Sequence, residues 1–199
     1  FANGYDDSPV KFEHSQAPVK SVGNSTTTPK DMRTDEEVKI VLYILAESVA
    51  ARLRENGFRC RTVEISIRDK ELFHFSKQTK LKNASNITGE IAEAAYMLYK
   101  KSYSLPANEY ELKSFGTEFY QKPLRSIGIS GSDLVTDFYW EQMDIFMDPK
   151  LREKRMKMDV TVDNIRKRFG FYSIQRGLMY RDSILSACNA KDDHTVHPI

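Results

Sequence analysis

From Arg61 to Arg68 the chain alternates: Val63, Ile65 and Ile67 are β-branched and apolar, while Thr62, Glu64, Ser66 and Arg68 point the other way. A period of two is the pattern of a strand that buries one face and leaves the other to solvent. From Leu72 to Lys82 the same period sets Phe73, Phe75, Thr79 and Leu81 inward and His74, Ser76, Gln78, Lys80 and Lys82 outward. A turn near Asp69-Lys70 joins the two runs. Between Arg59 and Lys82 there are seven Lys/Arg against three Asp/Glu, so the polar side of the pair is rich in hydroxyls and positive charge. Such a face suits nucleic-acid phosphate.

The flanking segments supply the layer that the apolar face needs. A short strand over Val19–Thr28 ends at Thr28-Pro29, and Thr34-Asp35-Glu36-Glu37 then offers a capping box with acids in the first helical turn. Val38, Val41, Leu42, Leu45, Val49 and Leu53 follow at helical spacing, and Asn56-Gly57 is a C-terminal stop. A second helix starts at Thr88, carries Ile91, Ala94, Ala95 and Leu98 on its inner stripe, and fades near Tyr103. Leu105–Gln121 has no usable period and is expected to be a loop. Pro123–Ser130 predicts a last strand with Ile127 and Ile129 inward and Ser126, Gly128 and Ser130 outward, small residues that let another backbone approach.

The order strand, helix, strand, strand, helix, strand predicts an α+β fold, a four-stranded β-sheet with two helices packed on one face and a C-terminal helical tail. Residues 1–17 read as a linker, 18–136 as the folded domain and 137–199 as an appendage, with a basic helix from about Pro149 to Phe169. Residues 148–170 hold eight Lys/Arg against four acids, which the overall charge of +2 conceals. Cys60 and Cys188 lie far apart without metal-type spacing, which favours reduced thiols in a cytoplasmic protein over a disulfide framework. No apolar run approaches membrane-spanning length, and no membrane partner is expected.

At the level of motifs, Lys20–Asp31 (KSVGNSTTTPKD), the strand pair and Pro123–Leu134 resemble, in this order, the little finger of Y-family translesion DNA polymerases, the DinB/UmuC group. Ala2–Val10 looks like the end of the thumb and the linker leading out of it, and Asp163–Gly170 looks like the C-terminal region of those enzymes. The resemblance implies a domain that lies along template-primer duplex DNA and grips it mostly through phosphates, without sequence preference. The residues expected to face DNA are Lys20, Ser21, Gly23, Ser25, Arg68, His74, Ser76, Gln78, Lys80, Ser126, Gly128 and Ser130. For any one serine among them, a plain solvated sheet face is the competing reading. The resemblance also implies a part in DNA repair and the SOS response, and a monomeric chain.

Gln142-Met143-Asp144-Ile145-Phe146 fits the Gln-Leu-(Ser/Asp)-Leu-Phe pattern by which bacterial polymerases resemble one another in binding the sliding clamp. Its physics is a peptide anchor: a Gln amide satisfied at a pocket rim, with apolar side chains buried beyond it. Met143 stands where Leu is usual, a replacement that a flexible thioether tolerates. The competing reading packs Met143, Ile145 and Phe146 with Phe138, Tyr139 and Trp140 as a small satellite core.

Phosphoryl transfer requires metal-held carboxylates around a nucleotide, and no such set is legible. Asp6 and Asp7 have no third carboxylate on a supporting strand, and the Asp192, Asp193, His194, His197 cluster matches no closed metal site. Neither cysteine has an activating neighbour, so no catalytic residue, metal ligand or cofactor is assigned. By the resemblance, magnesium chemistry belongs to a palm outside this chain. Two other expectations stay open: a stand-alone adaptor that binds the clamp or another protein without touching DNA, and a small α+β enzyme whose site is not legible.

Overall fold

The computed structural model describes residues 19–103, 105–115, 120–136 and 148–188. Four strands, β1 (Ser21–Met32), β2 (Phe58–Asp69), β3 (His74–Ser85) and β4 (Leu124–Thr136), form one antiparallel sheet in the order β1-β4-β2-β3. The last strand in sequence is therefore central, inserted between β1 and β2. Helices α1 (Asp35–Glu55) and α2 (Thr88–Ser102) pack on one side of the sheet.

Each element has a local cause. Thr34 caps α1: its hydroxyl accepts from the Glu37 amide at 3.3 Å while Glu37 accepts from the Thr34 amide at 3.1 Å. Gly57, at φ 67°, takes the left-handed conformation that ends the helix and turns the chain into β2. Val63, Ile65 and Ile67 of β2 and Ile127 and Ile129 of β4 meet Val41, Leu45, Val49 and Leu53 of α1 and Ile91 and Ala95 of α2 in one continuous core. Tyr99 closes its end, fully buried, donating to Asp35 Oδ1 at 2.6 Å.

Four expectations need correction. The first strand does not end at Thr28-Pro29: β1 starts at Ser21 and runs past Pro29 to Met32, which pairs with Leu124 after a register irregularity that accommodates the proline. Phe73 lies ahead of β3 and is 64% exposed rather than inward, because β3 is an edge strand that the helices do not reach there. The expected loop over Leu105–Gln121 contains a short helix, α3 (Glu109–Phe115), with Asn108 Oδ1 accepting from the Glu111 amide at 3.0 Å. The last strand runs six residues further than its apolar alternation indicates, to Thr136, since Gly131 and Ser132 continue the ladder to β1 and β2.

Residues 148–188 do not lie over the sheet. Helix α4 (Pro149–Phe169), two 3-10 turns (Phe171–Ser173 and Gly177–Arg181) and the short helix α5 (Ser183–Ser186) pack on the helical side. Arg54 of α1 donates to both oxygens of Asp163 at 2.7 and 2.9 Å and approaches Asp159 at 3.4 Å. Glu47 of α1 pairs with Arg166 at 2.8 Å and Arg176 at 2.6 Å. Lys30 bridges Glu37 and Asp182, each at 2.6 Å. Burial opposes the Lys30 charge, but the hydrogen bonds to Asp182 and Glu37 outweigh it and hold its pKa above the ordinary lysine value. With this cover, α1 is enclosed on two sides, and Ile40, Ile44 and Glu47 on its back are buried along with the predicted stripe.

Candidate nucleic-acid interface

The strand registers set the open face of the sheet out as four cross-strand rows. In the order β1, β4, β2, β3, these are Ser21, Ser132, Thr62, Lys80; Gly23, Ser130, Glu64, Gln78; Ser25, Gly128, Ser66, Ser76; and Thr27, Ser126, Arg68, His74. The sixteen positions contain no apolar side chain larger than glycine's hydrogen, one carboxylate, and three groups that carry or can acquire positive charge. A solvated sheet face ordinarily mixes charged residues of both signs. Here the middle is built of hydroxyls and glycine, and the basic groups sit on β2 and β3.

Flatness is enforced by two glycines. A Cβ at Gly128 would stand 2.5 Å from Ser66 Oγ and 2.8 Å from Ser25 Cβ, and one at Gly23 would stand 2.9 Å from Ser130 Cβ. The hydroxyls of Ser21, Ser25, Ser66, Ser76, Ser126, Ser130 and Ser132 have no hydrogen-bond partner among the described residues and are free to donate outward. A hydroxyl that donates to a phosphate oxygen reads no base, so an interface of this kind fixes position rather than sequence.

Eleven of the twelve residues nominated from sequence fall within the rows: Ser21, Gly23, Ser25, Arg68, His74, Ser76, Gln78, Lys80, Ser126, Gly128 and Ser130. Lys20 is exposed immediately before β1. Thr27, Thr62, Glu64, Ser66 and Ser132 complete the rows and are not among the residues expected to face DNA. Four of these were recoverable from the alternation within the strand stretches already recognised; Ser132 was not, because it lies beyond the point where apolar alternation in β4 stops. Lys82 is exposed at the β3 edge, and so is Lys77, which pairs with Ile65 and belongs to the other face.

At the far end of the face, Arg61 and Asp133, between the Cys60–Leu134 and Thr62–Ser132 pairs of the β2–β4 ladder, form an ion pair at 2.6 Å. Asp133 adopts a left-handed φ of 54°, and the hydrogen bond from Arg61 holds its carboxyl below the usual range. On the buried side, Cys60 packs against Gly131, and burial pushes its thiol up to about 12. A thiol of that pKa is not a nucleophile at neutral pH. Among the described residues no group of three or more His, Cys, Asp or Glu is placed to hold a metal. No helix among them is long and apolar enough to cross a membrane. The pentapeptide Gln142–Phe146 and the Asp192–His197 cluster fall outside the described residues.

Among solved structures the chain is similar to a post-insertion binary complex of Dbh DNA polymerase, with a TM-score of 0.44 and 15% identity over 58% of this chain and 29% of that chain. Sequence relatives are far nearer. A protein named DNA polymerase IV from Acetivibrio thermocellus is 40% identical over 182 residues, covering 92% of this chain and 42% of the relative. DNA polymerase IV 2 from Bacillus subtilis is 32% identical over 179 residues, covering 88% of this chain and 38% of the relative. The chain thus spans about two fifths of the length of the curated relatives it matches. The family model described as the impB/mucB/samB family C-terminal domain matches residues 19–145, which takes in the whole sheet and both helices beneath it. The chain belongs to that family, and its four-stranded domain is the little finger of a Y-family polymerase.

Proposed function

We propose that the open face of this domain holds the sugar-phosphate backbone of template-primer duplex DNA without reading its sequence, as the non-catalytic grip of a translesion polymerase. The observation that carries the reading is the four rows of hydroxyls and glycine with basic groups toward one edge, uncovered by any described element of the chain. Relatives named DNA polymerase IV support a parent that is a DNA-directed DNA polymerase; its action in DNA repair, in the cytoplasm, is part of the proposal. In that parent, magnesium chemistry would belong to segments other than this domain. The domain contributes position only, as a monomer.

The second element of the proposal is tethering. Gln142–Phe146 would bind the sliding clamp as an extended anchor, weakly by itself, and gain from the high effective concentration when both partners sit on one DNA.

The test is duplex binding followed by fluorescence anisotropy across a salt series. Each phosphate neutralised contributes roughly 0.9 to the slope of log affinity against log salt, so four to six contacts give a slope of roughly −4 to −5. Scrambling the duplex sequence at constant length should change affinity less than about twofold. Absence of duplex binding at low salt would overturn the grip, and clamp binding unaffected by Phe146→Ala would overturn the tether.

A further inference from the structure

The basic helix α4 lies on the side of the molecule away from the open sheet face, and its charges are sorted. Its acids are spoken for: Asp148 caps the helix, Asp159 and Asp163 face Arg54, and Glu153 pairs with Lys157 at 2.7 Å. Arg152 and Arg166 turn inward as well, to Glu90 and Glu47. Arg155 and Lys167 are exposed, and Lys157 is held by Glu153; Lys150, Lys154, Lys157, Thr161, Asn164 and Arg168, every one also exposed, are spaced by alternating fours and threes. That spacing keeps them on one line along the helix, about 27 Å long. Lys150 and Lys154 have no ion-pair partner among the described residues.

Two aromatic rings follow the last residue of this line, Phe169 (64% exposed) and Tyr172 (52%); Tyr180 (85%) lies further along the chain, beside Arg181, which pairs with Glu36 of α1. The Arg168 guanidinium lies over the Phe169 ring at 4.9 Å, and the Tyr172 hydroxyl donates to the Ala187 carbonyl at 3.0 Å, which fixes that ring. We propose that α4 and these rings form a second nucleic-acid surface, one that takes a single strand.

The class follows from the combination. A line of cations tracks a phosphate backbone, although the Thr161 hydroxyl on it already donates to the Lys157 carbonyl at 2.8 Å, and exposed rings at its end offer stacking faces that only unpaired bases can use. An apolar protein groove or a lipid surface would call for an apolar stripe at the centre of the exposed face. Here the centre is Thr161 and Asn164, with Leu151 and Met158 on one flank and Val160 on the other, so no apolar stripe runs down the middle. The surface also adjoins the first one: Arg152 donates to the Ala84 carbonyl at 2.7 Å, just beyond Lys77, Lys80 and Lys82 on the β3 edge. A duplex resting on the sheet is too stiff to bend round that edge, whereas the single strand extending from it can.

The experiment compares a 16-nucleotide oligo-dT with a blunt 16-base-pair duplex, each titrated by anisotropy into the whole chain at two salt concentrations. Two variants are used, K150Q/K154Q/R168Q and F169A/Y172A, with circular dichroism confirming that both stay folded. The triple variant should weaken oligo-dT binding about tenfold or more and flatten its salt slope by roughly 2, at roughly 0.7 per phosphate on a single strand. The aromatic variant should weaken it by on the order of tenfold with little change in slope. Duplex affinity should stay within about twofold in both. An unchanged oligo-dT affinity, an equal loss on both probes, or loss of binding to phosphatidylserine vesicles with oligo-dT unaffected would overturn the proposal. Failure of the sheet as a duplex site would leave the oligo-dT result standing, so the two readings fall separately.

Discussion

Replacing glycine by alanine within a strand ordinarily stabilises it by roughly 0.5–1 kcal/mol, because alanine has less backbone freedom to lose on folding. At Gly128 the sign should reverse. The new methyl would lie 2.5 Å from Ser66 Oγ and 2.8 Å from Ser25 Cβ, with the Asn24 carbonyl oxygen at 3.3 Å. The Ser66 hydroxyl can rotate away, but the Ser25 Cβ moves only with its backbone, so strand β1 must shift on β4. Overpacking of this kind costs about 1–3 kcal/mol, which outweighs the entropic gain. Gly128→Ala should therefore lose about 1–2 kcal/mol, a fall of roughly 2–8 °C in Tm by calorimetry for a chain of this size. Ser25→Gly removes the obstructing Cβ, so the double variant should recover most of the loss, with a coupling of about 1 kcal/mol in the cycle. A Gly128→Ala chain as stable as the parent, or one that Ser25→Gly does not rescue, would refute the packing argument for a flat face.

Three further outcomes are expected. Arg54→Met removes the nearer of two cations facing Asp159, whose side chain is 4% exposed and which keeps Arg176 at 3.7 Å, and should cost about 2–3 kcal/mol; amide exchange should quicken in α4 well before it does in β2. Glu64→Gln removes the one carboxylate from the open face and should tighten duplex binding about twofold to fivefold at low salt, an effect that fades near 1 M salt as screening shortens the Debye length to about 3 Å. Cys60 holds its proton up to about 12, above the value for an unfolded thiol, so its contribution is complete below about pH 9 and is lost as pH climbs toward 12, at up to roughly 1.4 kcal/mol per unit. Denaturant melts from pH 8 to 11, compared with those of Cys60→Ala, measure that slope.

The sequence discloses this fold wherever one side of an element is apolar and the other polar. Val63, Ile65 and Ile67 mark β2 because only one face of the sheet is covered, and Thr34 with Glu37 marks the start of α1 because the cap is a local motif. Legibility fails where structure rests on distant partners. Gly131 faces the core with no side chain because Cys60 and Leu53 fill that space, so β4 continues past the point where its apolar alternation stops. The docking of α4 rests on Arg54, Glu47 and their partners, charge pairs more than a hundred residues apart that leave no period in either helix. The interface is intermediate: its hydroxyls are visible strand by strand, but the four rows exist only once β4 is known to lie between β1 and β2.

The most direct test of the central claim is an amide chemical-shift map of the chain titrated with blunt duplex DNA. The account predicts shifts concentrated in the rows from Ser21 to Lys80 and from Thr27 to His74, strongest near Gly128 and Ser130, with α1 and its buried contacts undisturbed. Shifts confined to the helical side, with Ser25, Gly128 and Ser76 unmoved at saturating duplex, would contradict it.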